Sequence, residues 1–168
     1  GWVLEAGSAL SGNDNTDADP EVLVAIGDLS TSIGAADITE VEMVTTTADK
    51  SEGFTISVRV RYNEPVDVVT TGGTPTLAVT NGNEGTGTGR GPHSLSYASG
   101  TGTNELIFSL AIAAANAATN ADDVLSVGAQ SIALNSGTMK DATGTASDAS
   151  LVISSAQGTA AGSVTVTA

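Results

Sequence analysis

The sequence contains a single histidine, His93, which follows Arg90-Gly91-Pro92 in a stretch that we predict to be a loop. A catalytic base or a metal-bound histidine needs partner groups close to its ring, and no motif around His93 supplies them. The serines lack both a nucleophile-elbow motif and a paired base. Because no residue pattern indicates a catalytic site, we predict that the protein is not an enzyme.

Two further patterns resemble functional motifs but lack the residues that those motifs need. The segment Gly85-Thr86-Gly87-Thr88-Gly89 has spaced glycines, but it has neither the lysine nor the following helix of a phosphate-binding loop. The neighbouring acids Asp122 and Asp123 would point apart on a strand or loop, so they are not expected to form a catalytic carboxylate pair. We interpret the first segment as a turn and the two acids as solvated or capping residues.

Oxygen-bearing side chains are concentrated between residues 13 and 21, in Asn13-Asp14-Asn15-Thr16-Asp17-Ala18-Asp19-Pro20-Glu21. Hard cations such as Ca²⁺ prefer oxygen ligands. An EF-hand loop starting at Asn13 would need glycine and glutamate where Ala18 and Val24 stand, so that motif is absent. The segment is therefore either a calcium site or a hydrated linker, and the candidate ligands are Asp14, Asp17, Asp19 and Glu21. No other cofactor is indicated.

The overall charge and composition exclude several classes of function. Nineteen acidic residues against five basic ones give a net charge of −14, which excludes the basic surface that nucleic-acid binding requires. No run of 18 apolar residues is present, so membrane insertion is not expected. Cysteine is absent, which excludes disulfides and thiolate metal sites.

The pattern of apolar residues predicts an all-β protein. Alternation is clearest in 54–62, where Phe54, Ile56, Val58, Val60 and Tyr62 share one face, and in 105–112, where the even positions are again apolar. Turn residues separate such segments about every dozen residues, which is typical of a β-sandwich. We predict an immunoglobulin-like sandwich of about seven to nine strands. The segment Ala113–Ala118 is expected to form a helical turn or a crossing loop.

The chain divides into three parts by this pattern. Residues 1–36 are predicted to be an N-terminal arm, in which the apolar run 21–26 fits a strand or, as the alternative, a helical turn. Residues 37–155 are predicted to form the sandwich and residues 156–168 a C-terminal edge strand. Within the sandwich, Arg59 and Arg61 lie on the solvent-facing side of the long strand. They are expected to pair with Glu40 and Glu42 if 39–44 is the neighbouring strand.

The residues from about Ile38 to Asp148 resemble the bacterial immunoglobulin-like repeat of very large surface proteins. The relatives include a cyanobacterial swimming-motility surface protein, giant adhesins and phage structural proteins. The likeness is carried by the blocks Thr45-Thr46-Thr47-Ala48-Asp49, Tyr62-Asn63-Glu64-Pro65-Val66, Gly73-Thr74-Pro75-Thr76-Leu77, 97–106 and 127–144. We expect Pro65 to end its strand, because proline donates no hydrogen bond. The resemblance implies an immunoglobulin-like sandwich, a location on an extracellular or virion surface, and a structural or adhesive role.

The two ends of the chain are the candidate contact regions. Short apolar strands can add to the sheet edge of another subunit, or they can complete their own sheet. The candidate interface residues are Trp2, Val3, Leu4, Val22, Val24, Val164 and Val166. We predict a structural subunit, either a virion decoration protein or a filament subunit, whose partners are other copies or a capsid or envelope protein. The alternative is an adhesin-type module that binds a glycan or another host-surface ligand.

Overall fold

The computed structural model describes residues 2–4, 21–24, 34–83, 92–143 and 146–168, with backbone alone for 2–4, 21–24 and 83. The chain divides into two compact units, Gly1–Thr31 and Ser32–Ala168.

The first unit contains a pair of short antiparallel strands. Strand β1 spans Trp2–Leu4 and strand β2 spans Glu21–Val24, with Trp2 opposite Val24 and Leu4 opposite Glu21. The strand predicted over 21–26 is therefore confirmed for Glu21–Val24. The partner strand β1 was not predicted, because three apolar residues are too short a run to show a period.

The second unit contains eleven strands and one short helix within its described residues. In chain order these are β3 (Ile38–Met43), β4 (Ala48–Asp49), β5 (Phe54–Val69), β6 (Thr76–Asn83), β7 (His93–Ser99), β8 (Thr103–Ile112), β9 (Asp123–Ser126), β10 (Gln130–Ser131), β11 (Thr138–Asp141), β12 (Val152–Ile153), α1 (Ser155–Ala160) and β13 (Ser163–Thr167).

Strand pairing gives the second unit immunoglobulin-like topology. One half of the sheet has the order β3-β5-β8-β7, and the other half has the order β4-β13-β9-β6. Pairing between β6 and β7 joins the halves into one curled sheet, and β4 runs parallel to β13. The first half matches the order of strands A, B, E and D of an immunoglobulin domain. The predicted all-β, sandwich-like fold is confirmed.

The core lies between the two halves and follows the predicted alternation. On β5, Ile56, Val58 and Val60 are fully buried, whereas the intervening Ser57 and Arg59 are half-buried. The other half contributes buried side chains at alternate positions too, and the apolar ones belong to the same cluster as those of β5. This arrangement follows from the period of two in a strand, which places every second side chain on the same face.

Strand β5 continues past Pro65, so the prediction that this proline ends the strand is wrong. The pairing of β5 with β8 is irregular between Arg61 and Val66. At the same place β5 changes its other neighbour, from β3 to β11. The carbonyl of Pro65 accepts a hydrogen bond of 2.9 Å from the amide of Ala142. Proline is tolerated here because its missing donor falls where the ladder is already interrupted.

Helix α1 was not predicted, and it corrects the assignment of 156–168 to a strand alone. Ser154 caps the helix, since its hydroxyl accepts a hydrogen bond from the amide of Gln157 and the Gln157 side chain bonds back to the Ser154 backbone. The Gln157 side-chain amide also donates to the carbonyl of Ile38 at 2.7 Å. This pattern of serine and glutamine three residues apart is the sequence signal that was missed.

Strand β13 lies inside the sheet and is not an edge strand. It pairs with β9 on one side and with β4 on the other. Val164 and Val166 are 5% and 0% exposed and belong to the core of their own chain. The prediction that these two valines contact another subunit is therefore wrong, because their alternation fills the subunit's own sandwich.

The buried position of Val166 leads to a stability prediction. We expect Val166→Ala to lower the free energy of unfolding by about 2 kcal/mol, since two buried carbon atoms are lost and a cavity remains. Thr165→Ala, on the exposed face of the same strand, should cost less than half as much. Denaturant titration of both variants measures this, and equal small effects would contradict a core position for Val166.

Candidate functional site

The solvent-facing side of β3, β5 and β8 carries a network of ion pairs. Arg59 pairs with Glu42, and Arg61 pairs with Glu40 at 2.6 Å, as predicted from the sequence. Glu105 on β8 joins both arginines, at 2.6 Å to Arg61 and 3.6 Å to Arg59. The hydrogen bond from Arg61 and the charge of Arg59 lower the pKa of Glu105. All five side chains are at least partly exposed, so the network is a structural feature of the strand ladder with a small effect on stability.

Sequence reasoning missed Glu105 in this network because the pairing of β8 with β5 was not assigned. Arg61 and Glu105 occupy directly opposed positions in the two strands. Opposite charges at such cross-strand positions are the expected signal once the register is known.

His93 begins strand β7 and is buried, whereas the sequence placed it in a loop. Its Nε2 atom lies 2.9 Å from the hydroxyl of Thr119 and 3.4 Å from the side-chain nitrogen of Asn81. Burial lowers the pKa of His93, and the negative charge of Asp123 opposes that shift. The ring is thus a bonded core group that joins β7 to the segment before β9.

The segment 113–122 forms turns without a helix, which agrees with the crossing-loop alternative. Asn81 donates its side-chain amide to the carbonyl of Ala118, and the Ala118 amide bonds to the side chain of Asn116 at 2.8 Å. Asp123 is buried and accepts a hydrogen bond from the amide of Asn120 at 2.8 Å, whereas Asp122 is exposed. The two acids therefore do not form a carboxylate pair, as expected, and Asp123 fixes the turn that leads into β9.

A pair of buried carboxylates lies where β5 and β11 run together. Glu64 is 6% exposed and Asp141 is 1% exposed. The hydroxyl of Thr143 lies 2.6 Å from Oε2 of Glu64 and 2.7 Å from Oδ1 of Asp141. The Thr143 amide also donates to Oδ1 of Asp141 at 2.6 Å. The bonds from Thr143, and to a smaller extent a side-chain hydrogen bond with Glu64, lower the pKa of Asp141 against the opposing effect of burial.

This acidic pair was not among the candidates from the sequence. Its members are far apart along the chain and follow no ligand-spacing motif, so only the pairing of β5 with β11 brings them together. Both residues fall within the blocks on which the family resemblance rests. Those blocks indicate strands and turns, and nothing in them marks either acid as part of a site.

The candidates in the first unit are placed only in part. Asp14, Asp17 and Asp19 lie outside the described residues, as does the glycine-spaced segment 85–89. Glu21 begins β2, and Trp2, Val3, Leu4, Val22 and Val24 belong to the β1–β2 pair, with side chains outside the description. Calcium binding by 13–21 stays a prediction. Within the described part of the chain, no group of three or more histidine or acidic side chains is arranged to hold a metal.

The two tyrosines are engaged in the sandwich. Tyr62 is buried and donates its hydroxyl to the carbonyl of Ser150 at 3.0 Å, and burial raises its pKa. Tyr97 is half-buried and packs edge-on against Phe108, with ring centroids 6.0 Å apart, while its hydroxyl accepts from the amide of Thr101. Because Tyr62 is buried, it has no free ring face for stacking on a sugar. The contact of Tyr97 with Phe108 reduces the ring surface that Tyr97 could offer to a sugar.

Comparisons with known proteins leave the chain without an assigned family. No family model matches it, and searches of curated proteins and of solved structures also find no match. Among the helical residues that the structure describes, none forms a helix long and apolar enough to cross a lipid bilayer.

The environment of His93 leads to a pH prediction. A lowered pKa in the folded state means that the unfolded chain takes up the proton first, so stability is full above about pH 6.5 and falls as the pH decreases. We expect the free energy of unfolding to be lower at pH 5.5 than at pH 7.5, and His93→Gln to remove most of that difference.

Denaturant titrations at several pH values measure the slope for both proteins. The comparison is specific because His93 is the sole histidine. The acids whose pKa values are lowered have ordinary values of 3.8 to 4.5, below this range. An unchanged slope in the His93→Gln variant would contradict the assignment.

Proposed function

We propose that the chain is a non-enzymatic structural subunit of an extracellular or virion-surface assembly, related to the bacterial and phage immunoglobulin-like repeats. Its partners are other copies of the chain, or a capsid or envelope protein, and the contacts are made by the β1–β2 pair. Either a virion decoration protein or an extracellular filament subunit fits this proposal.

The observation that carries the proposal is the separate β1–β2 pair in the unit Gly1–Thr31. Strands of three and four residues, for which the described part of the chain offers no other pairing partner, are marginally stable in water. The outer edges of such a ribbon carry backbone groups that can pair with another sheet edge. Addition of strands to a partner's sheet is a common mode of assembly, and the pair contains Trp2, a residue type enriched at interfaces.

Features of the second unit also support the proposal that β1 and β2 make the contact. The polar groups that suggested chemistry in the sequence have structural bonds: Arg59 and Arg61 lie in ion pairs, and His93 bonds to Thr119. Strand β13 completes its own sheet and is unavailable for exchange. The net charge of −14 opposes non-specific association of copies, so assembly requires a specific contact such as the one proposed for β1 and β2.

Self-association tests the proposal in the full chain. We expect wild-type protein to form oligomers that dissociate on dilution, and Trp2→Ala or Val22→Asp to weaken association by roughly 10–100-fold, since an interface tryptophan typically contributes about 2 kcal/mol or more. The control is Val152→Asp, which changes a valine that is 62% exposed on β12 of the second unit. Sedimentation velocity over a range of protein concentrations measures the difference.

Fluorescence provides a second readout, because Trp2 is the only tryptophan. Burial of Trp2 in a contact should shift its emission to shorter wavelength as the concentration rises, in step with oligomer formation. A wild-type chain that stays monomeric, with emission that does not change with concentration, would contradict assembly between copies of the chain through β1 and β2.

A further inference from the structure

The carboxylates of Glu64 and Asp141 are buried together, and none of the basic residues that the structure describes pairs with them. Four of the five basic residues are described, and each makes other contacts: Arg59 and Arg61 with Glu40, Glu42 and Glu105, Lys140 with Asp148, and Lys50 with the carbonyl of Asn116. A buried charge without a partner is costly, and two of the same sign add their mutual repulsion.

The unpaired atoms of this pair point to a missing ligand. Oε1 of Glu64 and Oδ2 of Asp141 are both buried and have no hydrogen-bond partner. These atoms belong to residues that are 94% and 99% buried, so they need a partner inside the fold, and an ion that brings its own bound water can supply one. Buried unsatisfied oxygens are rare in folded proteins, and an unplaced ion is one of their recognised explanations.

The Thr143 hydroxyl adds a second, independent argument. It lies at 2.6 and 2.7 Å from both carboxylates, yet it carries a single proton and can donate to only one of them. The other close contact is favourable only when a proton on that carboxyl or a bound cation lies between the two oxygen atoms. A cation near Glu64 and Asp141 would stabilise all three oxygen-bearing groups at once.

We propose that Glu64 and Asp141 bind one Ca²⁺ ion per chain, with water and neighbouring oxygen atoms completing its coordination. Calcium fits this donor set because it takes six to eight oxygen ligands in flexible geometry and accepts water among them. With two carboxylates, the affinity should resemble that of extracellular calcium modules, with a Kd on the order of 0.1–1 mM. The site is independent of the proposed assembly role and of the acidic segment 13–21. The ion would join the middle of β5 to β11 and so tie the edge of the sheet to its longest strand.

Thermal unfolding and titration calorimetry of the full chain test the site. We expect 10 mM Ca²⁺ to raise the Tm of the wild-type chain by roughly 3–10 °C relative to protein in EGTA. Glu64→Gln and Asp141→Asn should lose this shift and the heat of calcium binding. Their amide oxygens can still accept the bonds from Thr143, so without calcium both variants should be at least as stable as wild type, because the repulsion between carboxylates is removed.

Two controls separate this site from other sources of calcium binding. Glu52→Gln removes an exposed acid of the second unit and should keep the full shift. The triple variant Asp14→Asn, Asp17→Asn, Asp19→Asn should keep both the shift in Tm and one bound ion per chain. Absence of calcium binding in the wild type, calcium binding that survives when Glu64→Gln or Asp141→Asn is combined with the triple variant, or loss of the shift in the triple variant would each overturn the proposal.

Discussion

The sandwich depends on the pairing of β5 with strands on both of its sides. This strand spans Phe54–Val69, pairs with β8 on one side, and pairs with β3 and then β11 on the other. Its alternate side chains fill the core, and its opposite face organises the arginine network. Because a shift of one residue would exchange these two faces, the register of β5 is strongly specified and places every neighbouring strand.

The buried polar groups of the second unit differ in how well their hydrogen bonds are satisfied. His93 and Asp123 lie among donors that satisfy them, with Thr119 and Asn120 as partners, so they stabilise the local structure as neutral or capping groups. Glu64 and Asp141 share one threonine hydroxyl and each retain an unpaired oxygen. The bonds of His93 and Asp123 are those of ordinary packing, whereas the two close carboxyl groups need either a shared proton or a bound cation between them.

Two similar apolar strands have different surroundings, and this difference locates the proposed assembly contact. The valines of β13 are buried because β9 and β4 flank that strand on both sides. Strand β2 has a higher share of apolar residues than β13, but its described partner is the three-residue β1. Apolar content alone therefore does not distinguish a contact strand from a core strand; the number of neighbours in the sheet does.

Much of the sandwich was determined by the sequence itself, because alternation and turn residues act locally. The faces of β5 and β8, the all-β class and the pairing of Arg59 and Arg61 with Glu42 and Glu40 all followed from spacing. The tertiary structure alone decided the position of β13 between β9 and β4, the burial of His93 and the meeting of Glu64 with Asp141. These features depend on which strands become neighbours across long stretches of chain, and no local residue preference encodes that choice.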